Sequence, residues 1–290
     1  MADQLRRVAV LTNLLPATTE RALVDLAACR AKLGLDLFLL PEEQAKHPAW
    51  RKLGYQAISD DELRTVDVCL VLGGDGTILR ALGRLVGSGV PTLGVNFGAV
   101  GFLATLRPDD WCAGLTAIVA GRYDVVDLMT VEVTHKDRLY AGVNDVVLSR
   151  TEPRHVLKIT YAISGTHVGE MLCDGMIIAS PGGSTAYNLS CDGPLVVWDA
   201  RVLVLNFIAP HSLGFRPVVL RPDHVITACN VSAIDEADIV VDGEVIGRLC
   251  CGEQIEVSAG KQVARLMVRE GGSFYQNVEE KLFHRTGDAR

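Results

Sequence analysis

The segment Leu72-Gly-Gly-Asp-Gly-Thr-Ile78 sets three glycines around one acid. Glycines let a backbone approach a phosphate closely, and a helix that starts there adds its positive N-terminal end. Gly73, Gly74 and Gly76 would form such a cradle, with Asp75 among them. The alternative is a tight strand-to-helix turn that carries Asp75 on its rim. The motif is not the nucleotide P-loop, since no Lys follows the glycines, and the G-x-G-x-x-G register fails at Leu79.

Three further segments carry polar groups at turns. Asp174-Gly-Met-Ile-Ile-Ala-Ser-Pro-Gly-Gly-Ser-Thr-Ala-Tyr187, continuing to Ser190, reads as a strand entering a Pro-Gly-Gly turn rich in hydroxyls. Such a loop offers N–H and O–H donors to a ribose or a pyrophosphate, and Tyr187 can stack on or cap a sugar. A hydrolase elbow competes, because Gly182-Gly-Ser-Thr-Ala186 approaches G-x-S-x-G, but Ala186 replaces the last glycine. In Gly142-Val-Asn144-Asp145, the Asn-Asp pair can form a plain turn, read the edge of an adenine or bind ribose hydroxyls. His211, in Ala209-Pro-His-Ser-Leu213, stands in an apolar context and is assigned no chemistry.

The elements that must position these groups change character near residue 128. Before it, strands (Val8 to Thr12, Leu35 to Leu40, Asp67 to Leu72, Val90 to Asn96) alternate with helices (Thr18 to Leu33, stopping at Gly34, and about Thr77 to Val86). That alternation predicts an α/β domain with a parallel sheet, where ligands bind beyond the carboxyl ends of the strands. The Gly-Gly-Asp-Gly turn falls at such an end. From about Asp127, short runs such as Val143 to Leu148, Leu157 to Ile163, Met176 to Ala179 and Val202 to Phe207 predict a mostly β C-terminal domain. Helical spacing returns over Phe274 to Phe283. The expected division is 1–128, 129–269 and a C-terminal helix and tail over 270–290.

Bulk composition narrows the class. Apolar residues make up 49% but aromatics only 6%, which suits a Val/Leu/Ile/Ala core of sheets covered by helices. A net charge of −7 without a basic stripe argues against nucleic acid as a partner. The eight cysteines form no C-x-x-C pair and no zinc-type cluster, so free, mostly buried thiols in a reducing, cytoplasmic setting are expected. No apolar run approaches the roughly 18 residues of a membrane helix, and Asn13 interrupts the one stretch that resembles a signal peptide. A soluble protein with no membrane partner is expected.

Taken in order, these motifs resemble the NAD kinase family over about Asp67 to Asp242. They are the glycine–acid turn, Gly94-Val-Asn-Phe-Gly-Ala-Val-Gly-Phe-Leu103, Asn144-Asp145, Asp174-Gly175, the Ser180 to Tyr187 loop and Pro210-His-Ser-Leu213. The turn alone is shared with lipid kinases and phosphofructokinases; the hydroxyl-rich loop separates NAD kinases from them. The resemblance implies transfer of the ATP γ-phosphoryl group to the adenosine ribose 2′-hydroxyl of NAD, with Mg²⁺ accompanying ATP. It implies that Asp75 is the general base, with Gly73, Gly74 and Gly76 near the transferring phosphate. Asn144 and Asp145 would hold the adenosine; Thr185, Ala186, Tyr187 and Ser190 would line the dinucleotide site, completed by Phe102, Asp174 and Asp242. It further implies a homodimer or homotetramer. A non-catalytic NAD(P)-binding regulator on the same scaffold is the rival reading, and it would be expected to lose the acid at position 75.

Two departures stand out. The family loop usually reads Thr-Pro-Thr-Gly-Ser, against Ser180-Pro-Gly-Gly-Ser184 here, so a hydroxyl is lost at Gly182. The family favours Ser-Ala-Gly-Gly-Pro, against Ser190-Cys-Asp-Gly-Pro194, which adds the charge of Asp192.

Overall fold

In a computed structural model that describes residues 5–13, 15–98, 101–152, 154–233 and 235–283, the N-terminal alternation becomes a parallel sheet. The chain divides into two units: one takes the residues up to Asp127 and those from Ala264 onward, the other Leu128–Val263. The return to the first unit thus begins inside a strand, a few residues before the expected boundary at 270.

The first unit runs β1 (Arg7–Thr12), α1 (Glu20–Leu33), β2 (Asp36–Leu39), α2 (Pro41–Lys46), β3 (Gln56–Ala57), α3 (Asp60–Leu63), β4 (Val68–Gly73), α4 (Asp75–Leu85), β5 (Pro91–Asn96) and α5 (Trp111–Val119). Helix α1 closes at Gly34, as its sequence suggests. The helices α2, α3 and α5 have no counterpart in the expected set: α2 and α3 have too few residues to show a period, and α5 is apolar on most sides. The strands lie in the order β3-β2-β1-β4-β5, all parallel. Val8, Val10, Leu37, Leu70, Leu72, Leu93 and Val95 fill one core with Leu23 and Leu26 of α1 and Leu115 and Ile118 of α5.

The second unit is antiparallel. Its strands are β6 (Tyr123–His135), β7 (Arg138–Gly142), β8 (Asp145–Arg150), β9 (Leu157–Ile163), β10 (Thr166–Cys173), β11 (Gly175–Ala179), β12 (Leu203–Ile208), β13 (Val218–Leu220), β14 (Ile226–Asn230), β15 (Ala237–Val241), β16 (Glu244–Leu249) and β17 (Gln254–Arg269), with a short α6 (Tyr187–Ser190) after β11. One sheet has the order β13-β12-β11-β8-β15-β16; another pairs β10, β9, β14 and β17 in turn. Strand alternation sends Val146, Leu148, Met176 and Ile178 into the core shared with Leu157, Ile159 and Ile226, and turns Val147, Ile177 and Ala179 to the opposite face.

Beyond Ala264, β17 adds to the first sheet through Arg265 and Leu266, opposite Pro91 and Thr92 of β5. A short α7 (Phe274–Val278) and one wider turn (Glu279–Phe283) follow. The basic tail after Phe283, and Ala99 and Val100 of the glycine-rich stretch, lie outside the described residues. All eight cysteines are free, but Cys69 and Cys173 alone are buried, and Cys250 and Cys251 are exposed at a turn, contrary to the expectation of mostly buried thiols.

Candidate active site

Strand order in the first unit reverses direction between β1 and β4, and the Gly-Gly turn leaves β4 at that switch point. The crevice at the carboxyl ends beside such a reversal is where ligands bind in open α/β sheets. Gly73 is buried as the last residue of β4, Gly74 is extended as the N-cap of α4, and Gly76 is exposed in its first turn. The N–H groups that open α4 lie in this turn, the kind of helix N-terminus that can receive an anion.

Asp75 is held in place by backbone. The Phe102 N–H donates to Oδ2 at 2.7 Å and the Leu103 N–H to Oδ1 at 3.1 Å. A Cβ on Gly101 would lie 2.0 Å from Asp75 Oδ1, so the close approach requires glycine there. Each carboxylate oxygen keeps acceptor capacity beyond its single N–H partner. The Phe102 ring itself is buried, stacked on Phe274 with centroids 6.4 Å apart, and the Lys281 ammonium sits 4.2 Å from its centroid. Its carbonyl accepts from Asn277 Nδ2 at 2.6 Å. Phe102 therefore enters the turn through its N–H, while its ring is a packing element. Sequence reasoning missed Gly101 and Leu103; the signal available was the glycine at 101.

On the β1 side of the switch point lies a buried polar group that the sequence did not announce. Glu43 Oε2 accepts from Thr12 N at 3.1 Å and Thr12 Oγ1 at 2.6 Å, Lys46 Nζ donates to Glu43 Oε1 at 2.7 Å, and His47 Nε2 lies 3.0 Å from Thr12 Oγ1. Because the Thr12 hydroxyl donates to Glu43, His47 donates to Thr12 from Nε2, a role open to the neutral and the charged ring alike. Burial lowers the His47 pKa, which favours the neutral ring.

In the second unit, Asn144, Asp145, the Ser180–Tyr187 loop and Asp242 gather at one end of the β8–β11–β15 sheet. Asp145 is in register with Ala179, and Val146 with Val241. Asp242, at a left-handed φ of 50°, turns its carboxylate onto the strand entrance. Its Oδ2 accepts from Val143 N at 2.7 Å, and its Oδ1 from Asn144 N at 2.7 Å and Asp145 N at 3.1 Å. Asp242 is thus a positioning residue that fixes the Asn-Asp pair. Burial, reinforced by the Asp242 charge, pushes the Asp145 pKa up to about 7. Asp242 is also raised by burial, against the opposing pull of its three N–H donors. Asn144 Oδ1 is buried without a hydrogen-bond partner.

The loop after β11 is braced from beneath. Ser180 Oγ donates to Val143 O at 2.5 Å, and Thr185 Oγ1 to Gly182 O at 3.0 Å. Asn188 Nδ2 donates to Ser184 O and Pro194 O, each at 3.2 Å, while Asn206 Nδ2 donates to Asn188 Oδ1 at 3.1 Å and Cys191 O at 3.0 Å. A Cβ at Gly193 would meet Asn188 Oδ1 at 1.9 Å. With Asn188 buried below, Tyr187 and Ser190 are left exposed on the loop, and Ala186 is half-buried beside them. Asp192 has φ 56°, which accounts for its replacing a family glycine, since Asp is among the few side chains that tolerate this conformation.

Asp174 is not at this end. It precedes Gly175, which pairs with Ser149 at the far end of β11, so it stands one strand length, roughly 14–17 Å, from Asp145. Arg150, missed by sequence reasoning, binds it twice: Nη1 reaches Asp174 Oδ1 at 2.6 Å, and the Arg150 N–H donates to Asp174 O at 3.0 Å. The Tyr187 phenol feels both ends, its pKa raised first by burial and then by Cys191 and Asp174, with Arg150 opposing and Asp145 adding.

A glycine turn at a switch point, bearing a fixed carboxylate, together with a separate antiparallel unit carrying the amide–acid pair and hydroxyl loop, is the arrangement of a two-unit phosphotransferase class. The ATP-NAD kinase N-terminal domain family matches residues 37–123 and the ATP-NAD kinase C-terminal domain family residues 143–268. Among curated relatives, an NAD kinase of Heliobacterium modesticaldum is 34% identical over 77% of this chain and 80% of its own length. One from Rhodopirellula baltica is 28% identical over 92% of each. The chain belongs to the ATP-NAD kinase family. In fold it also matches a yeast NADH kinase solved with NADH, at a TM-score of 0.85, 20% identity, and coverage of 100% of this chain and 90% of that one. An Archaeoglobus fulgidus NAD kinase solved with ATP matches at a TM-score of 0.75 and 24% identity, over 94% of this chain and 97% of that one.

Proposed function

We propose that the protein is an NAD kinase that transfers the γ-phosphoryl group of ATP, carried as its Mg²⁺ complex, to the adenosine ribose 2′-hydroxyl of NAD. The observation that carries the reading is the orientation of Asp75 by the Phe102 and Leu103 N–H groups at the β1/β4 switch point, with acceptor capacity left over. In the reaction the 2′-oxygen bonds to the γ-phosphorus, the bond from that phosphorus to the bridging oxygen breaks, and ADP leaves. A carboxylate is a poor ground-state base for a ribose hydroxyl. Asp75 would therefore orient the hydroxyl first and take its proton late, as the oxygen bonds to phosphorus. Mg²⁺ would offset charge on the ATP phosphates, and the N–H groups at the start of α4 would stabilise charge on the transferring group.

Asn144 and Asp145 would receive the adenosine, aligned by Asp242, while Thr185, Ala186, Tyr187 and Ser190 would line the dinucleotide path. Retention of an acid at position 75 favours catalysis over the regulator reading. The resemblance also supports a cytoplasmic homodimer or homotetramer. No helix among the described residues is long and apolar enough to cross a membrane. The test is incubation of purified protein with ATP, Mg²⁺ and NAD, followed by an NADP-specific readout. Mg²⁺-dependent NADP formation is expected. Binding of NAD with no 2′-phosphorylated product from ATP or polyphosphate would replace this reading with the regulator.

A further inference from the structure

The polar groups of the second unit fall at two poles, one strand length apart. Asn144 and Asp145 stand at one end of β8 and β11, and Asp174 with Arg150 at the other. Tyr187 is within electrostatic range of both. A dinucleotide is an extended ligand with a nucleoside at each end. If the adenosine lies at the Asn144 pole, as in the function proposed above, the roughly 14–17 Å spacing brings the nicotinamide half toward the Asp174 pole. The oxidised ring carries a positive charge and the reduced ring none. A free carboxylate there would favour the oxidised form through Coulomb attraction, and a carboxylate neutralised by a guanidinium would not.

Arg150 is built to neutralise it. Its side chain is 33% exposed and that of Asp174 26%, so neither is free in solvent, and their 2.6 Å contact joins them directly. The backbone bond from Arg150 N to Asp174 O at 3.0 Å fixes the relative placement of the two residues. Nη1 also approaches His155 O at 3.5 Å, leaving other guanidinium donors unassigned.

We propose that the Arg150–Asp174 pair sets the preference between oxidised and reduced dinucleotide, Arg150 quenching a carboxylate that would otherwise select the cationic nicotinamide. The inference rests on the kinase reading, and its test separates the two. Native protein, Arg150→Met, Arg150→Lys and Asp174→Asn are compared for binding of NAD and NADH by calorimetry, and for initial rates with each.

Arg150→Met is expected to raise the NAD-over-NADH preference about fivefold, the size of an ion-pair interaction open to solvent. Arg150→Lys, which keeps the charge, should restore most of the native ratio. Asp174→Asn, which leaves the Arg150 cation unpaired, should lower the NAD-over-NADH preference below the native ratio. A merely structural role would weaken both ligands by the same factor, so an unchanged ratio in Arg150→Met overturns the inference. Binding of both dinucleotides by native protein without any phosphorylated product would overturn the kinase reading and leave the ratio test standing.

Discussion

Gly182 offers a quantitative test of how the nucleotide loop is tuned. It is buried between Pro181 and Gly183, outside the left-handed φ range, so a side chain meets no backbone penalty. A Cβ there would lie 3.3 Å from Val143 O, 3.5 Å from Ser180 Oγ and 3.7 Å from Asn144 Oδ1. The first contact is tight and asks the backbone to yield by a few tenths of an ångström. The last is an opportunity, since Asn144 Oδ1 is buried without a partner. A serine hydroxyl pointed at it would reach hydrogen-bond distance, about 2.7–3.0 Å. Satisfying a buried acceptor is worth about 1–3 kcal/mol, and replacing glycine adds about 0.4–1 kcal/mol through the unfolded chain. After the cost of the Val143 contact, Gly182→Ser should stabilise by about 1 kcal/mol, or roughly 2–4 °C in Tm. Because the bond would pin Asn144, NAD should bind about threefold more tightly through preorganisation. Thermal unfolding and calorimetry of Gly182→Ser beside Gly182→Ala decide the matter. Equal Tm changes in the two variants, or a fall in both, would refute the hydroxyl-to-Asn144 reasoning.

Asp145 predicts a pH dependence. Its folded pKa near 7 exceeds the usual carboxylate value, so the folded state binds the proton more tightly, and stability falls as pH rises from about 4 to 7, then levels. Asp145→Asn abolishes that loss, and its stability advantage in denaturant unfolding should grow across the same window toward a ceiling of about 4 kcal/mol; a pH-independent difference would contradict the assignment. Asp75→Asn should lower kcat by about 10²-fold or more with NAD affinity little changed. Since an amide nitrogen cannot accept the Phe102 or Leu103 N–H, a loosened 101–103 segment in hydrogen exchange is expected too. Near-normal kcat would reduce Asp75 to a brace for that segment.

Sequence carried the strands well because their apolar runs are bounded by turn residues: β1, β4 and β5 fall within a residue or two of their expected positions. It carried the glycine–acid turn at the end of β4, because three glycines around an acid mark a sharp strand-to-helix turn. It could not show that Asp75 binds the Phe102 and Leu103 N–H groups, since that contact spans residues far apart in the chain and uses main-chain atoms with no residue signature. The role of Asp242 was hidden for the same reason: an Asp-Gly pair reads as a turn, and only folding reveals which N–H groups its carboxylate meets. Arg150 was invisible because one arginine at a strand end is ordinary, and its meaning comes from Asp174, two strands later in the chain.

The first unit is assembled from two separated stretches of chain, and this sets an order on its birth. During synthesis roughly 170 residues, the whole second unit among them, are made between β5 and the strand segment that pairs with it. At about 5–20 residues per second that interval lasts roughly 8–34 s. Throughout it, Pro91 and Thr92 lack the partners Arg265 and Leu266, and Phe102 lacks the Phe274 ring and the Asn277 amide that hold it. The cradle of Asp75 depends on the Phe102 N–H, so the segment that holds this carboxylate is anchored only after α7 emerges. A nascent chain can complete the second unit first and gains the anchored Asp75 turn only once α7 has been made.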